Sequence, residues 1–206
     1  SIHCTAVFPE RAHHDSLVSS GHGMILQLAG QHIVGKIVFC HRQKARGILI
    51  DAGGGVKKTE AALNSIGTSL KNIDAVFITH EHSDHILGLK TILKHYDIPI
   101  LANSRTLDAI ERSIPEIDTD FFRCMPTGAT AVKDSFEIAS IKTSHDASES
   151  VCYLIKTEKG NIGVITDLGE YNDEILAAAS GCKSLILEAN HDVDMLVNGV
   201  YPPMLK

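Results

Sequence analysis

The chain has 206 residues, 44% of them hydrophobic and 21% charged, and a formal net charge of −6. This is enough apolar material for one substantial core, and the charge balance excludes a generally basic nucleic-acid coat while leaving local basic patches open. Five scattered cysteines with no CxxC pair exclude a disulfide framework, and neither a membrane-length apolar run nor a basic-then-apolar signal pattern occurs, so a cytoplasmic protein with buried, reduced thiols is expected.

Residues 1–22 carry four histidines (His3, His13, His14, His22) at no regular spacing and read as a surface lead-in rather than a metal site. Three short aliphatic strands are predicted next, at Met24–Leu28, Lys36–Phe39 and Gly47–Ile50. The segment from His41 to Arg46 between the last two reads as a basic hairpin tip, equally compatible with a solvated turn and with phosphate contacts. Asp51-Ala52-Gly53-Gly54-Gly55 ends the third strand, where glycines permit sharp turns and close approach. A helix follows over Lys57–Ile66, then a buried strand at Ala75–Ile78. Ile86, Leu89, Ile92 and Leu93 sit at helical spacing and predict a helix over Ile86–His95. Pro99–Ala102 reads as a strand, and Ser104–Arg112 as a helix with Ser104 as its cap.

The second half predicts consecutive strands at Phe136–Lys142, Val151–Thr157 and Asn161–Thr166. A helix over Tyr171–Ala179, a strand at Ser184–Leu187 and a short helix over Asp192–Val197 complete the chain. Strand groups flanked by helices in both halves fit an α/β protein of two packed sheets with helices outside, a four-layer αββα sandwich.

The chemistry concentrates in Thr79-His80-Glu81-His82-Ser83-Asp84-His85, where an apolar strand ends in three imidazoles and two carboxylates. At a strand end, residues i and i+2 point to one side, so His80 and His82 share a face. Neutral imidazoles suit zinc, iron or manganese, and a carboxylate adds a hard anionic ligand. So many donors this close in sequence suit two adjacent ions better than one. Further ligands are expected at other strand ends, and Ser144-His145-Asp146 and Thr166-Asp167-Leu168-Gly169 have that context. His191, after the strand at Ser184–Leu187, either faces the site or opens a helix capped by Asn190.

THEHSDH at 79–85 resembles the HxHxDH signature of the metallo-β-lactamase fold superfamily. ILIDAG at 48–53, TSHDA at 143–147 and GVITDLG at 163–169 match its other landmarks in order. More narrowly, ITHEHSDHILGL, SHDA, ITDLG and LEANHDVDMLVNGVYP resemble the bacterial WalJ/YycJ group, which is related to nucleases. The resemblance implies one domain over residues 1–206, with the family's C-terminal glycine–histidine segment falling beyond Lys206. It implies two divalent ions, zinc or manganese with iron possible. His80, His82 and His145 would hold one ion, Asp84 and His85 the other, and Asp167 would bridge them, with Asp51 steadying the ligand loop.

Such a pair of ions would share a hydroxide for hydrolysis, with Asp84 orienting its proton. The resemblance favours a phosphodiesterase or exonuclease acting on nucleic acid, with Asp84 and His191 as catalytic candidates. A small-molecule hydrolase of cyclic phosphodiesters, lactones or thioesters, and a non-catalytic metal-binding regulator, are the alternatives from other classes.

Overall fold

The computed structural model describes residues 3–6, 24–28, 36–42, 44–133, 136–158 and 160–187. The strands are β1 (His3–Ala6), β2 (Met24–Leu28), β3 (Lys36–Arg42), β4 (Lys44–Ile50), β5 (Ile73–Phe77), β6 (Ile100–Ala102), β7 (Phe122–Cys124), β8 (Thr130–Lys133), β9 (Phe136–Lys142), β10 (Val151–Lys156), β11 (Asn161–Ile165) and β12 (Cys182–Leu187). The helices are α1 (Gly55–Ser65), α2 (Ser83–Ile86), α3 (Leu89–His95), α4 (Ser104–Ser113) and α5 (Asp173–Ser180). Among the described residues one sheet has the order β2-β3-β4-β5-β6-β7 and the other β1-β12-β11-β10-β9-β8.

Alternation along the strands makes the layers. In β4 and β5, Ile48, Ile50, Ala75 and Phe77 face the second sheet, where they meet Ile138, Val151, Tyr153, Ile155, Ile162 and Val164. Leu49 and Val76, with Ile78 just beyond β5, face the other way, onto Leu63 of α1, Leu89 and Ile92 of α3 and Ile110 of α4. Cys152 and Ile165 turn outward from the second sheet onto Ile175 of α5. The period of two thus puts each strand's apolar side chains into two different cores. Each fully buried aliphatic side chain contributes roughly 1.5–3 kcal/mol. The result is the αββα sandwich that the sequence predicts.

Several local expectations are corrected. Residues His3–Ala6 are not merely a lead-in; they add a parallel edge strand to β12, with Cys4 opposite Leu185. Strands β3 and β4 run further than their aliphatic cores, pairing Arg42 with Lys44, because ladder hydrogen bonds continue whatever the side-chain polarity. The helix expected over Ile86–His95 is split into α2 and α3. Gly88 N–H donates to Ala52 O at 2.8 Å, a bond that ties the junction to the end of β4. The cap of α4 is Asn103, not Ser104: its side chain accepts from Thr106 N–H at 2.9 Å. Short β7 and β8 lack a readable pattern and form by pairing with their neighbours. The helix expected over Asp192–Val197 lies outside the described residues.

Cys152 and Cys182 are buried, as expected of structural thiols, and burial pushes the Cys152 thiol up to about 12. Cys124 departs from that expectation and is exposed. No helix among the described residues is long and apolar enough to cross a membrane.

Candidate metal centre

The parallel strands β4 and β5 end side by side, and Asp51 and His80 follow them. Asp51 takes a left-handed backbone, φ 61°, which Asp tolerates better than most residues. Its N–H donates to Phe77 O at 2.8 Å, and its fully buried carboxylate turns under the histidine loop. Oδ1 accepts from Thr79 N–H at 2.8 Å, and the Thr79 hydroxyl lies 3.0 Å from both carboxylate oxygens. Oδ2 lies 3.0 Å from His85 Nδ1. Ala52 N–H donates to His85 O at 2.7 Å, closing the Asp51-Ala52 turn onto α2.

These contacts decide which ring nitrogen of each histidine carries a proton. An ionised carboxylate can only accept, so His85 Nδ1 carries a hydrogen and Nε2 is the nitrogen that can offer a lone pair to a metal. The Thr79 hydroxyl spends its one hydrogen on Asp51 and therefore accepts from His80 Nδ1, 3.1 Å away. His82 Nε2 lies 3.1 Å from the carbonyl oxygen of Asp146, another pure acceptor, so its lone pair is on Nδ1. With both rings neutral, the form that binds a metal, His80 Nε2 and His82 Nδ1 face each other at 3.0 Å, lone pair against lone pair. His145 Nδ1 is 3.2 Å from Asp146 Oδ1, while its Nε2 is buried with no hydrogen-bond partner among the described residues.

The rings crowd together: His80 lies 4.5 Å from His82, 4.1 Å from His85 and 4.7 Å from His145, centroid to centroid. One potential ligand atom each from His80, His82 and His145 lie within 4.8 Å of one another, and the same holds for His80, His85 and Asp167. Burial, then the neighbouring His85, lower the His80 pKa to about 4 against the opposing pull of Asp51 and Asp167. His80 is therefore neutral at physiological pH, the form a metal requires.

Asp167 arrives one residue beyond Thr166 at the end of β11, also left-handed with φ 56°, and its Oδ2 is 3.6 Å from His85 Nε2. Asp84 Oδ2 is also 3.6 Å from His85 Nε2, but the Asp84 side chain is 71% exposed and completes neither group. The structure thus brings together His80, His82, His85, His145 and Asp167, leaves Asp84 at the rim, and places Asp51 beneath. His191 lies outside the described residues.

Several residues of the site have no individual role readable in the sequence. Thr79 is the hydroxyl hub between Asp51 and two imidazoles. Asn103 and Thr106 of α4 hold the loop after His145, donating to Glu149 O at 2.8 and 3.2 Å. Glu81 Oε1 accepts from Ser148 N–H at 2.7 Å. Burial raises the Glu81 pKa, but the hydrogen bonds from Ser148 outweigh it and hold the carboxyl below its usual value. Gly169 N–H donates to Ser144 O at 2.7 Å, joining the Asp167 and His145 loops. None of these has a periodic signature, because each acts on a segment remote in sequence.

Imidazoles and carboxylates gathered at the strand ends of an αββα sandwich define a metallo-β-lactamase fold. Residues 46–201 match the Beta-lactamase superfamily domain, and the chain belongs to that family. It is 35% identical over 159 residues to Exodeoxyribonuclease YycJ of Bacillus anthracis, covering 77% of this chain and 60% of that protein. The chain thus spans about three fifths of the length of that relative. Zn(2+)-bound PqqB from Methylobacterium extorquens shares the fold with a TM-score of 0.64 at 16% identity, covering 81% of this chain and 64% of PqqB. MEM-A1, a subclass B3 metallo-β-lactamase from a soil metagenome library, does so with a TM-score of 0.58 at 12% identity, covering 80% of this chain and 76% of MEM-A1.

Proposed function

We propose that the chain is a metal-dependent phosphodiesterase that shortens DNA from its ends, with two divalent ions held at the strand ends. His80, His82 and His145 would hold one ion; His85, Asp84 and Asp167 would hold the other. The observation that carries this reading is the convergence of His80 Nε2 and His82 Nδ1 at 3.0 Å, where the other ring nitrogen of each neutral imidazole faces an acceptor. Two lone pairs at that distance repel, and a shared cation relieves the repulsion. The buried, unpartnered His145 Nε2 supplies a third donor of the same kind. Nitrogen and carboxylate donors of this set suit zinc or manganese.

The substrate class rests on the exodeoxyribonuclease name of the YycJ relative. The ions would supply Lewis-acid charge to a phosphoryl group and lower the pKa of a water. The chain's own residues then have separable tasks. Asp51 and Thr79 hold His80 and His85 in one tautomer. Asp84, exposed and 3.6 Å from His85 Nε2, would take a proton from an attacking water and pass it to solvent.

Exposed apolar side chains close in sequence to the site would offer a base-stacking surface. Tyr171, four residues after Asp167, is 71% exposed, and Leu87, two residues after His85, is 68% exposed. Among the side chains described, Tyr171 is the exposed Phe or Tyr ring. Stacking of a base on an aromatic ring contributes about 1–3 kcal/mol. Tyr171→Ala is expected to weaken binding of single-stranded DNA by about 5- to 150-fold. Tyr171→Phe should retain the affinity, as read by quenching of a 2-aminopurine oligonucleotide. Equal quenching by the alanine variant would remove the ring from the substrate path.

The function is tested with end-labelled DNA and RNA in Mn²⁺ or Zn²⁺, beside a panel of small esters. Progressive loss of the label from DNA, stopped by a chelator, is expected. His82→Ala should lower both metal content and cleavage, the latter by roughly 100-fold or more, since it opens a shell of three protein ligands. Hydrolysis of esters with DNA left intact would favour a small-molecule hydrolase. Metal content equal to that of the parent chain in His82→Ala would overturn the ligand set.

A further inference from the structure

Glu81 stands between His80 and His82 in the chain. It reaches the other ligand-bearing loop, since its Oε1 accepts the Ser148 N–H at 2.7 Å across 67 residues of sequence. Ser148 lies three residues beyond His145. The loop is otherwise held from the side of α4, through Asn103 and Thr106 on Glu149 O, by Gly169 N–H on Ser144 O, and at its far end by Thr79 O, which accepts the Val151 N–H at 3.1 Å. Between Asp146 and Ser148, next to His145, the histidine loop reaches it through the Glu81 bond and the contact of His82 Nε2 with Asp146 O. The second of these uses the ring of a candidate ligand. The first is made by a residue outside both donor groups.

We propose that Glu81 is a positioning residue for the three-histidine group: its carboxylate latches the 144–150 loop to the histidine loop and so sets where His145 Nε2 lies relative to His80 and His82. This rests on the metal reading given above. Two donors on one strand end have their spacing set by the backbone. The third comes from a different strand, and its distance depends on what joins the loops. A second feature distinguishes Glu81 from an ordinary surface hydrogen-bonding residue: its Oε2 is buried with no hydrogen-bond partner among the described residues. Partners that orient ligands in this indirect way typically change metal affinity by about 10- to 100-fold when removed.

The test is titration of the metal-stripped 206-residue chain with Co²⁺, following the visible d–d bands, which report both affinity and tetrahedral geometry. Glu81→Ala should bind Co²⁺ about 10- to 100-fold more weakly and with altered bands. Glu81→Gln keeps an acceptor oxygen and should stay within about threefold of the parent, because it preserves the latch. Ser148→Pro removes the same bond from its other end and should match Glu81→Ala, while the double variant should be no worse than either single one. Circular dichroism of each metal-free variant separates loss of the latch from loss of the fold, and Ser148→Pro serves if Glu81→Ala does not fold. Glu81→Ala with parental affinity, a Gln variant as weak as the Ala variant, or additive losses in the double variant would each overturn the proposal. A parent chain that takes up no Co²⁺ would instead overturn the metal reading beneath it.

Discussion

Asp51→Ala is expected to lower the stability of the metal-free protein by about 3–5 kcal/mol and to abolish tight metal binding at His85. The carboxylate is fully buried and accepts from Thr79 N–H while facing the Thr79 hydroxyl and His85 Nδ1. Removing it strands buried donors, each costing about 1–3 kcal/mol. It also frees the His85 ring to adopt either tautomer, and half of the binding-competent arrangement depends on that choice. Asp51→Asn separates the two effects. Asn tolerates the left-handed backbone of residue 51 as well as Asp does, and keeps one acceptor oxygen. It should fall between the parent and the alanine variant in stability, while still losing metal. Denaturant unfolding of the stripped proteins and elemental analysis of the loaded ones measure both. An alanine variant within 1 kcal/mol of the parent would show that Asp51 does not organise the site.

Gly88→Ala should be comparably damaging, although it adds a single methyl. A Cβ on Gly88 would lie 2.5 Å from Ala52 O and 3.3 Å from Gly55 Cα, and both obstacles are backbone. Neither can rotate away, so the α2–α3 junction has to lift off the Asp51–Gly55 turn. That movement breaks the bond from Gly88 N–H to Ala52 O and strains the one from Ala52 N–H to His85 O. Overpacking of this kind costs about 1–3 kcal/mol, and the lost hydrogen bond adds about 1 kcal/mol. His85 moves with the junction, so a lowered melting temperature should be accompanied by weaker metal binding. Gly169→Ala offers a milder comparison, with its Cβ 2.9 Å from Ser144 O. A Gly88→Ala protein with parental stability and metal content would mean that the turn adjusts without cost.

The glycine results bear on what can be read in a chain. Asp51-Ala52-Gly53-Gly54-Gly55 is legible as a place where backbone can approach closely. That the approaching partner is Gly88, inside an otherwise unbroken helical pattern, is not. The pattern of Ile86, Leu89, Ile92 and Leu93 describes one buried face correctly, and all four residues are buried. It cannot show that the helix is interrupted, because the interruption goes with a hydrogen bond to residue 52. The same holds at α4, where Asn103 takes the cap from the adjacent Ser104 while its amide group also reaches Glu149.

The layered sandwich and the donor-rich end of β5 are legible in the chain alone. Both follow from local periods: alternation along each strand, and the i, i+2 spacing of His80 and His82. Strand-end context was also enough to single out His145 and Asp167, both of which arrive beside the histidine loop. Tertiary structure alone decided what those donors can do. A histidine ring offers its lone pair from whichever nitrogen is not donating, and this is settled by residues remote in sequence: Asp51 for His85, Asp146 O for His82, and for His80 the adjacent Thr79 only because Asp51 takes its hydroxyl hydrogen. Those pairings span up to 64 residues. No residue's own neighbours encode them, because they are set by how the two sheets stack and how the loops at their ends are tied together.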